Sequence, residues 1–533
     1  MARKINLFSS NRRIELIQKL SSNFFDLIVI GGGITGAGIC LDAVSRGLNV
    51  CLVEMNDFAS GTSSKSTKLI HGGLRYLEQF KFRLVNETGR ERYILHRIAP
   101  HIVKPEKMLL PISKNGKLNK FSTSIALTVY DYLAGVKGSE QKKILSKKEV
   151  IKIEPLLRDK EIVGGALYSE YRTDDSRLTI EILKKSSSLG ALPINYLKAE
   201  KFVYQNEKIT GIYCRDKLSK KKIIIKSKAI INASGSWTDD ILKGKDNKLI
   251  LSKGIHIVVP KEKFPLKQSV YFDALDNRMI FAIPRNNTVY IGTTDTFFDK
   301  EKDKLVVLKK EVDYLIQSVN NYFSVNIEDK DITSTWVGLR PLIKENKKNV
   351  SEISRKDEIF ISKEGLITIA GGKLTGYRKM AERAVDILLK KLNVSKNISI
   401  TNKIQLFKYP YKEFINEIKH LKLPSKDISK MYDIYGDECI EIFRICIEKY
   451  SNHKTYALLK AEIIYCFENE MCHNLLDFFS QRNSMVYFEI DKIKKSLNSI
   501  KKPYMEFKNI SENKWKKEIE DLLKYINEIT NFT

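Results

Sequence analysis

Residues 26–54 read DLIVIGGGITGAGICLDAVSRGLNVCLVE. Leu27 to Ile30 is short, apolar and rich in β-branched side chains, and three glycines end it abruptly, as when a buried parallel strand enters a tight turn. Gly31, Gly33 and Gly36 stand at G-x-G-x-x-G spacing. The first glycine allows the turn, the second lets backbone approach a pyrophosphate, and the third lets helix and strand pack closely. A helix is predicted from about Ile34 to Arg46, with its N–H groups and positive dipole end facing the phosphates, and Gly47 ends it. Val50 to Val53 reads as a second buried strand. Glu54 at its tip stands where an acid accepts the hydroxyls of an adenosine ribose. Taken alone, the unit implies a bound dinucleotide, NAD or FAD alike.

The chain around it has 533 residues, more than one core holds, so two or three domains are expected. A hydrophobic fraction of 43% is ordinary for a globular protein. The N-terminus lacks the basic start, apolar core and small-residue cleavage site of a secretory signal, and no run reaches the roughly 18 apolar residues of a spanning helix. The seven cysteines are scattered, odd in number and never C-x-x-C, which suits a reducing compartment and predicts no structural metal. The net charge of +28 goes with Lys, Ile and Asn enrichment throughout; no nucleic-acid recognition motif accompanies it, so nucleic-acid binding is not expected.

Before the opening unit, Ile14, Ile17 and Leu20 at helical spacing predict a short amphipathic arm, packed on the domain or laid on lipid. After Glu54, the hydroxyl-rich stretch Ser60 to Thr67 emerges from the nucleotide edge of the sheet and is expected to cover a cofactor. Helices are predicted over Asn86 to Pro100 and over Arg177 to Leu189, stopped by Gly190. AIINASGSW, residues 229–237, reads as another buried strand ending in a turn, with Ala233 and Gly235 beside the cofactor. Period-2 alternation in IHIVVP, MIFAIPR and VYIGTTD predicts an antiparallel sheet along a substrate site. GLITIAGGKLTGYRKMAERAVDILLKKL, from Gly365, repeats the opening logic, with a Gly371–Gly372 turn between strand and helix. Residues 393–410 read as a polar linker, and the remainder as charged helices. Trp515, Ile519, Leu522, Ile526 and Ile529 form the apolar stripe of one of them.

The motifs in order, IGGGITGAG (30–38), SSKSTKLIHGGLRYLE (63–78), DDSRL (174–178), INASGSW (231–237), KGIHIVVP (253–260), IGTTD (291–295), WVGLRPL (336–342), ISR (353–355) and IAGGKLTGYRKMAE (369–382), resemble the FAD-dependent glycerol-3-phosphate dehydrogenases, a branch of the D-amino-acid-oxidase-like flavoproteins. The resemblance runs from about Phe25 to the C-terminus. It implies an α/β plus α+β fold: an N-terminal arm (1–23), a discontinuous Rossmann-like FAD-binding domain (24–100, 166–250 and 351–395), an antiparallel-sheet substrate domain (101–165 and 251–350) and a C-terminal helical domain (396–533). It also implies noncovalent FAD, oxidation of sn-glycerol 3-phosphate to dihydroxyacetone phosphate, electrons passed to membrane quinone, peripheral attachment to an anionic membrane surface on the cytoplasmic side, and a homodimer. Two positions depart from the family pattern: Ser234 replaces a more usual threonine, and Gly376 stands where a second threonine often follows.

The resemblance assigns the cofactor to Gly31, Gly33, Gly36, Glu54, Ser63, Ser64, Thr67, Gly72, Gly73, Ala233, Gly235, Gly371, Gly372, Leu374 and Thr375. It places Arg75, Tyr76, His256, Arg340, Arg355 and Lys373 around the substrate. Arg340 and Arg355 suit the phosphate because a guanidinium pairs with it bidentately and stays charged. Lys373, at a helix start after the Gly371–Gly372 turn, suits either the negative charge of a reduced flavin or the substrate oxygen. Oxidising a secondary alcohol also needs a base. His71 is the first candidate and His256 the second; alternatively Arg75 or Arg340 orients the alcohol while water takes the proton. A glycerophosphate oxidase using O2 shares nearly every motif, and the lack of a foreign segment between Asp295 and Trp336 favours the dehydrogenase. A basic flavoprotein that binds nucleic acid is the remote alternative.

Overall fold

The run Phe24–Ile30 is buried along almost its whole length, because it lies inside a parallel sheet that helices cover. A computed structural model of the chain describes residues 7–72, 82–114, 127–129, 138–242, 248–274, 276, 278–344, 357–395, 397–421, 423–450 and 455–532. In the first sheet the path runs Asp357–Ile361, Ile367–Gly371, Lys222–Asn232, Phe24–Ile30, Val50–Val53 and Leu192–Ile194. All but the first of these neighbours pair in parallel. Ile30 pairs with Asn232 on one side and Val53 on the other, and Asn232 pairs with Thr368. That register brings Gly31, Ala233, Glu54 and the turn at Gly371 to one carboxyl edge, the position at which such sheets bind ligands.

The helix after the first strand spans Ile34–Ser45, and Gly47 then turns the chain with φ +88°. The helix Asp175–Ser188 is capped by Asp174, whose carboxylate accepts the Arg177 N–H. Both helices pack together on one face of the sheet, and Tyr377–Leu392 joins them there.

Among the described residues the second sheet has ten strands and is antiparallel except where Ser269–Asp273 meets Lys104–Ser113. Leu249–Pro260 is its pivot, pairing with Thr288–Gly292, Thr296–Phe298 and Ser334–Ile343. Two pieces cross the expected domain limits. Ile162–Arg172 is one strand of this sheet, so the limit expected at 165/166 falls inside it. Leu69–Ile70, within the stretch assigned to the cofactor domain, pairs with it. Both faces of Ile162–Arg172 are largely covered, which erases the alternation that would have marked it as a substrate-sheet strand.

The N-terminal helix is Arg13–Ser22, and it packs on the first sheet. Its inward side differs from the stripe expected: Leu16 and Leu20 are buried with Arg13, whereas Ile14 is 78% exposed. The reason is Arg13, whose guanidinium reaches inward to Asp216 at 2.6 Å and the Asn195 carbonyl at 2.7 Å and so rotates the helix toward its own side.

The segment read as a linker is tied back to the first domain: Ser399 donates to Asp42, Thr401 accepts from Arg378, and the Asn397 carbonyl accepts from Arg46. Beyond it the chain is helical. In the last helix, Glu512–Thr530, Trp515, Leu522, Ile526 and Ile529 are buried against the rest of the protein. Strand Ser334–Ile343 lies under this domain; Thr335 donates to the Ile529 carbonyl at 2.8 Å and Ser334 to the Tyr487 carbonyl at 2.6 Å. Among the described residues no helix is long and apolar enough to cross a membrane.

Candidate active site

The glycine spacing acts through backbone contact. Gly31 has φ +111°, and a Cβ there would lie 2.6 Å from the Ala233 carbonyl oxygen; one at Gly36 would lie 1.9 Å from the Gly31 oxygen. Gly33 starts the helix with no capping side chain, and Ser63 accepts the Ile34 N–H at 2.9 Å. Gly33, Ile34 and Thr35 face a cavity of about 1570 Å3. This exceeds the ~300–1,000 Å3 usual for a small-molecule site and leaves room for a dinucleotide with a second small molecule.

Glu54 lies on the cavity wall, where its oxygens accept the backbone N–H groups of Gly32 (2.7 Å) and Asn56 (2.8 Å). Burial raises its pKa, against those two hydrogen bonds. A carboxylate has about four acceptor sites, so two N–H bonds leave capacity for ribose hydroxyls. Ser234 donates to the Asn232 side chain at 2.6 Å, a bond that a threonine hydroxyl could equally make. Gly376 has nothing near its Cβ direction, so this departure removes no packing.

At the far end of the cavity, Gly371 and Gly372 turn with φ +77° and +83°. Lys373 and a short 3-10 turn, Leu374–Gly376, then lead into Tyr377–Leu392. Thr375 holds this turn against the loop over the cavity: its hydroxyl accepts the His71 N–H (3.1 Å) and donates to the His71 carbonyl (3.0 Å). His71, Lys373, Leu374 and Thr375 all line the cavity.

Arg340 projects from Ser334–Ile343 onto the same wall. It donates to Thr293 (2.8 Å) and to the Thr294 carbonyl (3.2 Å), and its guanidinium lies 3.4 Å from Asp295. Gly254 makes the approach possible, since a Cβ there would lie 2.3 Å from an Arg340 nitrogen. His256 also lines the cavity, but it is 1% exposed and stacks on Trp336 at 4.7 Å between ring centres. Its Nε2 shares a 3.0 Å hydrogen bond with Thr67, and its Nδ1 has no hydrogen-bond partner among the described residues. Burial first, then the Arg340 and Lys68 charges, hold its pKa well below the ordinary histidine value. It is therefore a neutral ring that resists protonation.

Of the residues expected at the site, Gly31, Gly33, Glu54, Ser63, Thr67, His71, Ala233, Gly235, His256, Arg340, Gly371, Gly372, Lys373, Leu374 and Thr375 line this one cavity. Three do not. Gly36 lies behind the turn as a packing position, Ser64 turns inward to the Gly61 carbonyl, and Gly72 donates to Glu170. Gly73, Arg75, Tyr76 and Arg355 lie outside the described residues.

Several wall residues received no role from the sequence, among them Thr293, Asp295, Phe281 and Tyr271. Thr293 and Asp295 fix Arg340, and the IGTTD motif was the available signal for them. Phe281 and Tyr271 stack at 4.1 Å between centres and close the substrate-sheet side; alternation in MIFAIPR put Phe281 on one face without saying which.

Residues 26–378 match the family model described as FAD dependent oxidoreductase, and residues 399–514 the one described as C-terminal domain of alpha-glycerophosphate oxidase. The chain is 44% identical over 541 residues to an aerobic glycerol-3-phosphate dehydrogenase of Staphylococcus aureus strain RF122, covering 97% of each. It is 46% identical over 507 residues to that of strain USA300, covering 91% of each. A crystal structure of the glycerol-3-phosphate dehydrogenase from Bacillus halodurans complexed with FAD superposes with a TM-score of 0.84 at 38% identity, covering 98% of this chain and 99% of that one. The L-alpha-glycerophosphate oxidase of Mycoplasma pneumoniae shares the fold, with a TM-score of 0.56 at 15% identity over 73% of this chain and 100% of that one.

Proposed function

The chain belongs to the aerobic glycerol-3-phosphate dehydrogenases, FAD-dependent oxidoreductases, and from that membership we propose that it oxidises sn-glycerol 3-phosphate to dihydroxyacetone phosphate and passes the electrons to membrane quinone. The observation that carries the reading is one cavity running from the glycine cradle at Gly31 to Arg340, His71 and Lys373.

FAD supplies the hydride acceptor for such an alcohol. Its ADP end fits the Gly31–Gly33 cradle, the helix start at Ile34 and the Glu54 carboxylate. The Gly371–Gly372 turn would hold its reactive end, and Lys373 would supply positive charge there.

Arg340 anchors the phosphate. Asp295 at 3.4 Å offsets part of its charge, so a dianion needs a further cation, and Arg355 and Arg75 remain the residues proposed for that. His71 takes the hydroxyl proton. His256 is the poorer base because burial and two neighbouring cations disfavour its protonated form; its proposed part is to orient Thr67. Lys373 steadies the oxygen from which the proton leaves, or the negative charge on the cofactor side.

The deciding experiment is anaerobic. Glycerol 3-phosphate should bleach the bound flavin, and a quinone analogue should restore the colour faster than oxygen does. Restoration by oxygen with stoichiometric peroxide would make the protein an oxidase, and no bleaching would remove the substrate assignment. The +28 net charge supports peripheral docking on an anionic membrane, which sedimentation with phosphatidylglycerol vesicles at low and high salt would check.

A further inference from the structure

Arg278 immediately precedes the strand Met279–Arg285, where its carbonyl accepts the Ala274 N–H at 2.7 Å, and it lines the large cavity. Its Nη1 donates to the Asp295 carbonyl at 3.2 Å. Arg340, from the strand Ser334–Ile343, donates at 3.2 Å to the Thr294 carbonyl, one residue earlier. Two guanidinium groups from separate parts of the sheet therefore meet on consecutive carbonyls of one stretch of chain. Exposed Asp276 grips another edge of Arg278, with its Oδ2 2.6 Å from both Nε and Nη2. Tyr314, on the helix Lys309–Tyr322, donates to the other Asp276 oxygen at 2.8 Å, and its ring centre lies 5.1 Å from the guanidinium carbon. A guanidinium has five N–H groups, more than these contacts use, so Arg278 keeps donor capacity for a ligand.

We propose that Arg278 is a second guanidinium of the phosphate site and binds the same phosphate as Arg340. The inference rests on the glycerol 3-phosphate reading above, which it deepens. A phosphate monoester carries a charge of about −1.5 to −2 at neutral pH. Arg340 shares its charge with Asp295, 3.4 Å away, and so leaves that dianion undercompensated. Arg278 adds a cation that stays charged and presents a planar fork suited to phosphate oxygens. Asp276 and Tyr314 set the direction of that fork, because they hold its Nε and Nη2 edge while Nη1 points to Asp295. A free polyol has no group for either arginine, so the pair also selects a phosphorylated alcohol over an unphosphorylated one.

The test reads flavin bleaching in anaerobic holoenzyme over a range of glycerol 3-phosphate concentrations, giving a half-saturating concentration and a limiting rate. Arg278→Gln should raise the half-saturating concentration by about 10- to 100-fold, the loss of a charged hydrogen bond, and leave the limiting rate within about threefold. Arg278→Lys, which keeps a point charge without the fork, should fall between Arg278→Gln and the unaltered protein. Inorganic phosphate, added as a competitor of bleaching, should lose potency in Arg278→Gln in the same direction.

Should Arg278→Gln lose its flavin, Arg278→Met decides, since it keeps an apolar stem against Tyr314 and removes only the charge. An unchanged half-saturating concentration in the flavin-bound variant, or a fall confined to the limiting rate, would overturn the assignment of Arg278 while leaving the substrate in place. No bleaching of the unaltered protein by glycerol 3-phosphate would remove the substrate reading, and this inference with it. The two failures are therefore told apart by whether the unaltered protein bleaches.

Discussion

One hydroxyl, that of Thr375, holds both backbone polar groups of His71, accepting from its N–H at 3.1 Å and donating to its carbonyl at 3.0 Å. The two residues are 304 positions apart, and their bond clips the segment at His71 to the turn that follows Gly371 and Gly372. Thr375→Val keeps the shape and removes both bonds. It should cost about 1–3 kcal/mol, seen as a lower Tm of the holoenzyme and weaker FAD retention on dilution, whereas Thr375→Ser should retain both. An unchanged Tm and flavin content in Thr375→Val would show that the clip is dispensable.

With Arg340 as the proposed phosphate anchor, Asp295 at 3.4 Å would oppose it on an incoming phosphate. Arg340→Ala should raise KM for glycerol 3-phosphate by about 10- to 100-fold with FAD still bound, the loss expected for a charged hydrogen bond of ~1.5–3 kcal/mol. Asp295→Asn should lower KM, because it removes the neighbouring negative charge. Steady-state kinetics on both variants read the prediction, and equal KM values for Arg340→Ala and the unaltered protein would take the phosphate away from Arg340.

For His71 the expected signature is in kcat. His71→Asn should reduce kcat by about 10²–10⁴-fold at neutral pH with a smaller change in KM, and the acidic limb of the pH–rate profile should vanish. If that limb persists in His71→Asn and disappears in His256→Gln, the proton acceptor is His256.

His101 gives a stability prediction unconnected with catalysis. It is 2% exposed, neither ring nitrogen has a hydrogen-bond partner among the described residues, and burial, then Arg177, Lys104 and Lys184, push its pKa down to about 3. The unfolded chain, with an ordinary value of ~6.5, binds a proton that the folded chain refuses between those limits. Stability from this site is therefore full above pH ~6.5 and falls by about 1.4 kcal/mol per unit as pH drops toward 3. His101→Phe should flatten the acid side of the Tm–pH curve by that amount; a parallel curve would mean that His101 is protonated in the folded protein.

The parts of this architecture that could be read from sequence are those whose signal is local. Gly31 and Gly36 announce their turn because each excludes a Cβ from a contact made within the same βαβ unit or at its neighbouring strand tip. The Gly371–Gly372 turn announces itself likewise. What stayed hidden depends on distant partners. Lys65 meets Tyr487 and Tyr525 across 422 and 460 positions, and nothing in SSKSTK foretells two phenols. The lowered pKa of His256 comes from burial, under Trp336 and against Gly292, where a Cβ would lie 2.2 Å from the ring, and then from the Arg340 and Lys68 charges. The arm was misread for a related reason: Arg13 reads as a surface residue until Asp216 and Asn195 turn it inward.

The bond from Thr335 to the Ile529 carbonyl, and that from Ser334 to Tyr487, also order events in time. The ribosome releases Ser334–Ile343, which carries Arg340, long before the helix Glu512–Thr530 that covers it. A nascent chain can assemble the Gly31 cradle early and capture the adenosine end of its cofactor. Thr335, buried beneath that helix, gains its hydrogen-bond partner only with it, so a chain lacking residues 512–530 should still bind nucleotide while leaving the Thr335 side of this strand open to water.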